Sequence, residues 1–159
     1  MPLNRDLPLS RTTLLDHVWI ERNIPHHGRM CLLEEVIEWS AQRIRCRASS
    51  HRLPDHPLRS QGRLSIAGGI EYAAQAMAAH GALTGGADRP EAGLLAGLRD
   101  VRLHVRRLDD IESDLICDAT LVAGDRRTAL YEFVLWTPAK RLVSGRATVV
   151  FDANQRLNP

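Results

Sequence analysis

From Leu64 to Thr84 the chain reads LSIAGGIEYAAQAMAAHGALT, a run of helical length in which almost every residue is small or apolar. A surface helix keeps one polar face; this one has none, so the rest of the fold must enclose it. Ala67, Gly68, Gly69, Ala73, Ala74, Ala76, Ala78 and Ala79 let a covering layer approach the helix axis closely. Glycines inside a helix cost about 1 kcal/mol each relative to alanine, so Gly68 and Gly69 mark close approach by backbone or ligand. The one charge in the run is Glu71. Enclosing a carboxylate is expensive, and a fold that does so for stability alone is unusual. Chemistry, with Glu71 kept to donate a proton, explains the placement; a salt bridge to an arginine of a neighbouring strand is the structural alternative. Gln75, one turn further on, can hydrogen-bond the Glu71 carboxyl and fix its rotamer.

The segments around this helix read as strands. Arg43 to Ser50 alternates Ile44, Cys46 and Ala48 with Arg43, Arg45 and Arg47, the period of a strand with one wet face. Met30 to Trp39 precedes it as another strand. Gly93 to Val105, Leu115 to Val122, Ala129 to Trp136 and Leu142 to Phe151 follow the helix, parted by turn signals at Asp109-Asp110, Gly124-Asp125 and Thr137-Pro138. Leu14 to Ile20 reads as a short helix that stops before Ile24-Pro25, where the residue ahead of proline is pushed toward extended backbone. His51 to Gly62, with Pro54 and Pro57, is a structured loop into the central helix, which Ser65 can cap. The expectation is an α+β fold: one domain over residues 1–159, an antiparallel sheet wrapped around one long central helix, with loose termini at about 1–10 and 153–159.

Composition narrows the function. Of 21 basic side chains all but Lys140 are arginine, yet the formal net charge is only +2 and 4% of residues are aromatic, which excludes the basic, stacking surface of a nucleic-acid binder. Cys31, Cys46 and Cys117 lie far apart, so neither a disulfide framework nor a zinc site is expected and a reducing cytoplasm fits. No apolar run suits a signal peptide or a membrane span. No His-Glu-x-x-His spacing implies a metal, no Gly-x-Ser-x-Gly elbow implies a serine nucleophile, and no phosphate loop is present.

A lone acid is half a mechanism, and seven histidines offer the other half. His56, bracketed in Pro54-Asp55-His56-Pro57-Leu58, sits in a rigid loop that can aim an imidazole, unless it is an exposed loop histidine. His51 is the reserve candidate. His80 lies nine residues beyond Glu71, off its face of the helix, and His26 and His27 read as bracing the first strand.

These residues resemble a known family, the hotdog-fold β-hydroxyacyl-(acyl carrier protein) dehydratases, in particular the divergent branch associated with aryl polyene assembly. The resemblance spans most of the chain. It rests on Ile24-Pro-His-His-Gly-Arg-Met-Cys-Leu-Leu-Glu34, His56-Pro-Leu, Gly69-Ile-Glu-Tyr-Ala-Ala-Gln-Ala-Met77 and the stretch from Gly93 to Asp114. Glu71 with Gln75 is similar to the family's Glu-Ala-Met-Ala-Gln signature, in which the carboxyl is the catalytic acid. The family's histidine, in a Gly-His-Phe-Pro loop, maps by position to His56, with different neighbours. Ser65-Ile66 replaces the family's Pro-Gly at the helix entrance, so its oxyanion site is rebuilt or absent.

The resemblance implies dehydration of a 3-hydroxyacyl thioester to a trans-2-enoyl thioester, with no cofactor beyond the carrier protein's 4'-phosphopantetheine arm. It implies a dimer, homomeric or with another hotdog subunit, in which His56 of one protomer faces Glu71 of the other. Ile66, Ala67, Gly68 and Gly69 would hold the substrate beside Gln75. Arg99, Arg102, Arg106 and Arg107 would form a docking patch for the acidic carrier protein, or else a solvated strand face. Arg102 and Arg106 have like parity along the strand, and Arg99 and Arg107 the other. A hotdog thioesterase and a non-catalytic partner subunit are the competing functions.

Overall fold

The computed structural model describes residues 15–85 and 93–151. Six antiparallel strands form one sheet: β1 (Glu35–Trp39), β2 (Arg43–Ala48), β3 (Leu94–Leu103), β4 (Leu115–Gly124), β5 (Thr128–Thr137) and β6 (Lys140–Val150), in the spatial order β1-β2-β4-β5-β6-β3. A short helix, α1 (His17–Asn23), precedes the sheet, and the long helix α2 (Gly68–Thr84) lies across its inner face. The expected sheet around a central helix is what the chain forms. Among the described residues no helix is long and apolar enough to cross a membrane. The termini expected to be loose, 1–10 and 153–159, lie outside the described residues.

Period-two patterning builds the inner face. Ile44, Cys46 and Ala48 of β2, Leu115, Cys117 and Ala119 of β4, and Tyr131, Phe133 and Leu135 of β5 are all buried, as are Tyr72, Ala73, Ala76, Met77 and Ala79 of α2. The arginines between them serve the outer face: Arg45 pairs with Asp118 and lies over the Trp136 ring, while Arg47 bonds Glu34, Glu35 and Asp114. The three buried cysteines are free, and burial pushes the Cys46 and Cys117 thiols upward, so they act as small apolar side chains.

The two glycines at the start of α2 differ. A Cβ on Gly69 would lie 2.9 Å from Val143 Cγ1 and 3.0 Å from Leu135 Cδ2, both in the sheet, so here the helix backbone rests directly on β5 and β6. A Cβ on Gly68 would meet chiefly Leu64 Cδ1, at 3.1 Å. The close approach expected at these positions is therefore a helix–sheet contact made by Gly69.

Helix α2 begins four residues later than the apolar run. Leu64 to Ile66 are drawn into extended pairing instead: the Leu64 N–H donates to Asp109 Oδ1 at 2.8 Å, the Leu108 N–H to Leu64 O, and the Ile66 N–H to Arg106 O. Ser65 is not the cap; that position falls to Ala67, which makes no side-chain cap bond. Met30 to Glu34 also leave their expected strand. Gly28–Met30 form a 3-10 turn, with Gly28 at φ +59, a conformation glycine adopts without strain.

The sheet's two edges are unlike. Beyond β1 the chain itself closes the edge, with the Val36 N–H donating to Leu15 O. Among the described residues strand β3 is paired only with β6, and its Leu94, Leu95, Leu98 and Leu103 are exposed by 38% or more.

Candidate active site

Glu71 sits in the first turns of α2 and turns outward, beside Tyr72, which faces the core. Its side chain is 30% exposed, so the carboxylate is not enclosed as the apolar run implied. The imidazole that meets it is His26: Nε2 lies 2.8 Å from Glu71 Oε1, and the ring is 27% exposed. Gln75 Nε2 donates to the same oxygen at 3.1 Å, which realises the expected i to i+4 bond. Histidine and glutamine, not arginine, hold the carboxylate.

Local structure explains how a loop histidine arrives there. Asp16 caps α1 through the Trp19 N–H, and the helix closes at Ile24 ahead of Pro25. The loop then turns at Gly28, whose N–H donates to Glu21 Oε1 at 2.7 Å, so α1 holds it from behind. From α2, Gln75 holds its far end: Nε2 donates to Met30 O at 2.6 Å and Oε1 accepts the Leu32 N–H at 2.8 Å. Gln75 is fully buried and so fixes both the loop and the Glu71 carboxyl.

The two histidines singled out from the sequence are engaged elsewhere. His56 is 5% exposed; its Nδ1 accepts the Leu58 N–H at 3.1 Å and its Nε2 meets Tyr72 Oη at 3.1 Å. Both of its ring nitrogens are thus bonded inside its own chain. His51 is fully buried with Nε2 on Ile111 O at 2.9 Å. The prolines around His56 do make a rigid loop, but the loop aims the ring inward.

Burial lowers the pKa of both histidines below the ordinary 6.5, with Arg59 adding to the effect at His56 and Arg52 at His51. The unfolded chain therefore takes up protons below about pH 6.5 that the folded chain refuses, and stability falls as the pH drops through that window. Urea unfolding midpoints should decline between pH 7.5 and pH 5, and less steeply in His56→Gln. An equal slope in that variant would remove His56 from the acid sensitivity.

The start of α2 offers no spare donors. The N–H of Ile66 goes to Arg106 O, that of Ala67 to Ser65 Oγ, that of Gly68 to Ser65 O, that of Gly69 to Ile66 O and that of Ile70 to Ala67 O, all within 3.2 Å. The expected thioester-oxygen site at Ile66, Ala67, Gly68 and Gly69 is thus satisfied internally.

The four arginines of the expected docking patch separate. Arg107 bonds Asp109, and Asp110 lies 3.9 Å away. Asp100, at φ +53, breaks the β3–β6 register, so Arg99 opposes Arg146 and Arg102 opposes Ser144. Sequence parity puts Arg99 and Arg102 on opposite faces; the irregularity puts them on the same, outer face. Arg106 is exposed beside the start of α2, where its carbonyl takes the Ile66 N–H.

A sheet folded around one helix is the hotdog architecture, and here an acid and an imidazole meet at that helix. The chain matches the family model of the ApeP-like proteins, described as ApeP dehydratase, over residues 18–157. It belongs to the ApeP-like dehydratases, a family of hydro-lyases. Among solved structures it is similar to the dehydratase heterocomplex ApeI:P from Xenorhabdus doucetiae, with 28% identity and a TM-score of 0.73 over 87% of this chain and 93% of that one. The PaaI protein of the Escherichia coli phenylacetic acid degradation operon shares the fold at 13% identity and a TM-score of 0.55, covering 72% of this chain and 80% of its own. A hypothetical thioesterase with coenzyme A from Streptococcus pneumoniae does so at 12% and 0.53, covering 74% and 84%. No curated protein matches the sequence significantly.

Proposed function

We propose that this dehydratase removes water from a 3-hydroxyacyl thioester, held on the pantetheine arm of an acyl carrier protein, to give a trans-2-enoyl thioester. The observation that carries the reading is the 2.8 Å contact between His26 Nε2 and Glu71 Oε1 on the open side of α2. The proposed reaction requires one proton on the pair at its start. With that proton on Glu71, the neutral imidazole removes the proton α to the thioester carbonyl, the β C–O bond breaks, and Glu71 protonates the departing hydroxyl. The imidazolium and carboxylate left behind restore the starting state by passing a proton across their contact. Gln75 keeps the carboxyl in place and itself holds no proton to transfer.

A second hotdog subunit completes the protein in this reading. The open edge of β3, with its exposed leucines, is a surface that seeks another strand. The internally used N–H groups at the start of α2 leave the thioester oxygen to donors from that subunit. The heteromeric assembly named for the similar ApeI:P complex favours a different hotdog chain over a second copy. For the carrier protein, Arg106 is the arginine of the expected patch that lies beside the helix start, whereas Arg99 and Arg102 face away with the outer sheet.

The test is hydration of a trans-2-enoyl thioester, followed as loss of enoyl absorbance alongside a thiol assay. Hydration without free thiol is the expected outcome, from this chain alone or joined by a hotdog partner. Thiol release without hydration would make the protein a thioesterase. A partner whose activity is unchanged when this chain carries Glu71→Gln would make it a non-catalytic subunit.

A further inference from the structure

We infer that His56, Tyr72 and Ser50 are positioning residues, a buried support that holds the His26 loop against Glu71. The inference deepens the dehydratase reading and rests on the His26–Glu71 pair being the reacting groups. Its basis is a series of hydrogen bonds that runs from His56 to the Leu32 carbonyl, on a residue whose N–H is bonded to Gln75. Because the Leu58 N–H donates to His56 Nδ1, that nitrogen carries no proton, and Nε2–H is the donor to Tyr72 Oη at 3.1 Å. Ser50 Oγ gives its one proton to Leu32 O at 2.8 Å, so between Tyr72 Oη and Ser50 Oγ, 2.6 Å apart, the phenol is the donor. Every donor in the series thereby has one acceptor, and the order runs one way, from His56 to Leu32.

Leu32 is where this chain meets the site. Its carbonyl is held by Ser50 and its N–H by Gln75, which also holds Met30 O and Glu71 Oε1. The backbone of Met30 to Leu32 is therefore fixed from both sides. His26 lies just upstream, across the 3-10 turn closed by the Cys31 N–H on Gly28 O. Release of the Leu32 carbonyl frees one side of that segment, and the imidazole moves with it.

Burial gives the arrangement its force. Tyr72 and Leu32 are 0% and 1% exposed, Gln75 is 0% and His56 is 5%. In so dry a layer each lost partner leaves an unsatisfied group, and an apolar set of the same shape would pack without that liability. What the polar set adds is a specified position for Leu32. Burial also pushes the Tyr72 phenol up to about 12, so it remains an intact donor at any working pH.

Ser50→Ala and Tyr72→Phe test the inference in the full chain, with a hotdog partner wherever one is needed for activity. In the hydration assay both variants should lose roughly tenfold in kcat with KM little changed, and Ser50→Thr, which keeps the hydroxyl, should recover most of the loss. In a Glu71→Gln background Tyr72→Phe should add little further loss, since the groups act as a unit. The second readout is the NMR signals of the His26 ring and the Gln75 side-chain amide, expected to move in Tyr72→Phe. A lower melting temperature with unchanged kcat and unmoved His26 and Gln75 signals would overturn the inference and leave the chain a purely structural element. Should the wild type hydrate no enoyl thioester at all, the dehydratase reading fails by itself. The NMR signals then still decide whether the support reaches the pair.

Discussion

Glu71→Gln is expected to lower the hydration rate by about 10²- to 10⁴-fold while the melting temperature stays within a degree or two of wild type, the usual range for loss of a general acid or base. The amide keeps the length and shape of the side chain. Its oxygen can still accept from Gln75 Nε2 and from the His26 ring, so the geometry of the first turns of α2 survives. What it cannot do is hold and release a proton. The carboxylate is already 30% exposed, so its removal relieves little desolvation and no large gain in stability should accompany the loss.

His26→Asn should produce a loss of the same order, and the double variant one no larger than the worse single variant, because the two groups pass one proton between them. His56→Gln separates the two assignments of the base. If the inward-facing ring acts only through its support of the His26 loop, kcat falls by far less than in His26→Asn. Comparable collapse in His56→Gln with full activity in His26→Asn would return the base to the histidine suggested by position. Full activity in Glu71→Gln would end the acid–imidazole reading altogether.

The fold was legible because its signals are local. The alternation of Ile44, Cys46 and Ala48 with Arg43, Arg45 and Arg47 survives unchanged in β2, and the i to i+4 step from Glu71 to Gln75 is a property of any helix. The partner of Glu71 is another matter. His26 is 45 residues away in sequence, in a loop that owes its position to Glu21, Gln75 and the left-handed turn at Gly28. Prolines 54 and 57 correctly mark the His56 loop as constrained, yet constraint carries no direction, and the ring points at Tyr72. A signal for His26 was present in the sequence. Its Pro-His-His-Gly loop runs directly into Met30 to Leu32, the segment whose backbone the buried Gln75 holds. Strand parity failed for Arg99 and Arg102 for a similar reason, since an irregularity at Asp100 shifts every later side chain by one position.

Gly69 carries the second large effect. A methyl at this position would stand 2.9 Å from Val143 Cγ1 and 3.0 Å from Leu135 Cδ2, and both side chains are 0% exposed in a close-packed layer. Alanine's better helix propensity, worth up to about 1 kcal/mol, opposes an overpacking cost of about 1–3 kcal/mol, so Gly69→Ala should be destabilising by about 1 kcal/mol on balance. Gly69→Val adds bulk with no further gain in propensity and should lose about 3 kcal/mol, near the top of that range. For a domain of this size that corresponds to a fall of roughly 6–12 °C in melting temperature. Gly68→Ala is the control: the atom in its way is the end of the Leu64 side chain at 3.1 Å, which can rotate aside, so stability should stay level or rise slightly. The Gly69 variants should also lose activity beyond their loss of folded protein. Glu71 is two residues further along the same helix, and lifting the start of α2 off β5 and β6 carries the carboxyl away from a histidine that the Gln75 clamp and α1 hold in place. Equal melting curves for Gly69→Val and Gly68→Ala would show that the sheet yields to the helix, and the geometry at Glu71 would then have to be set by Gln75 alone.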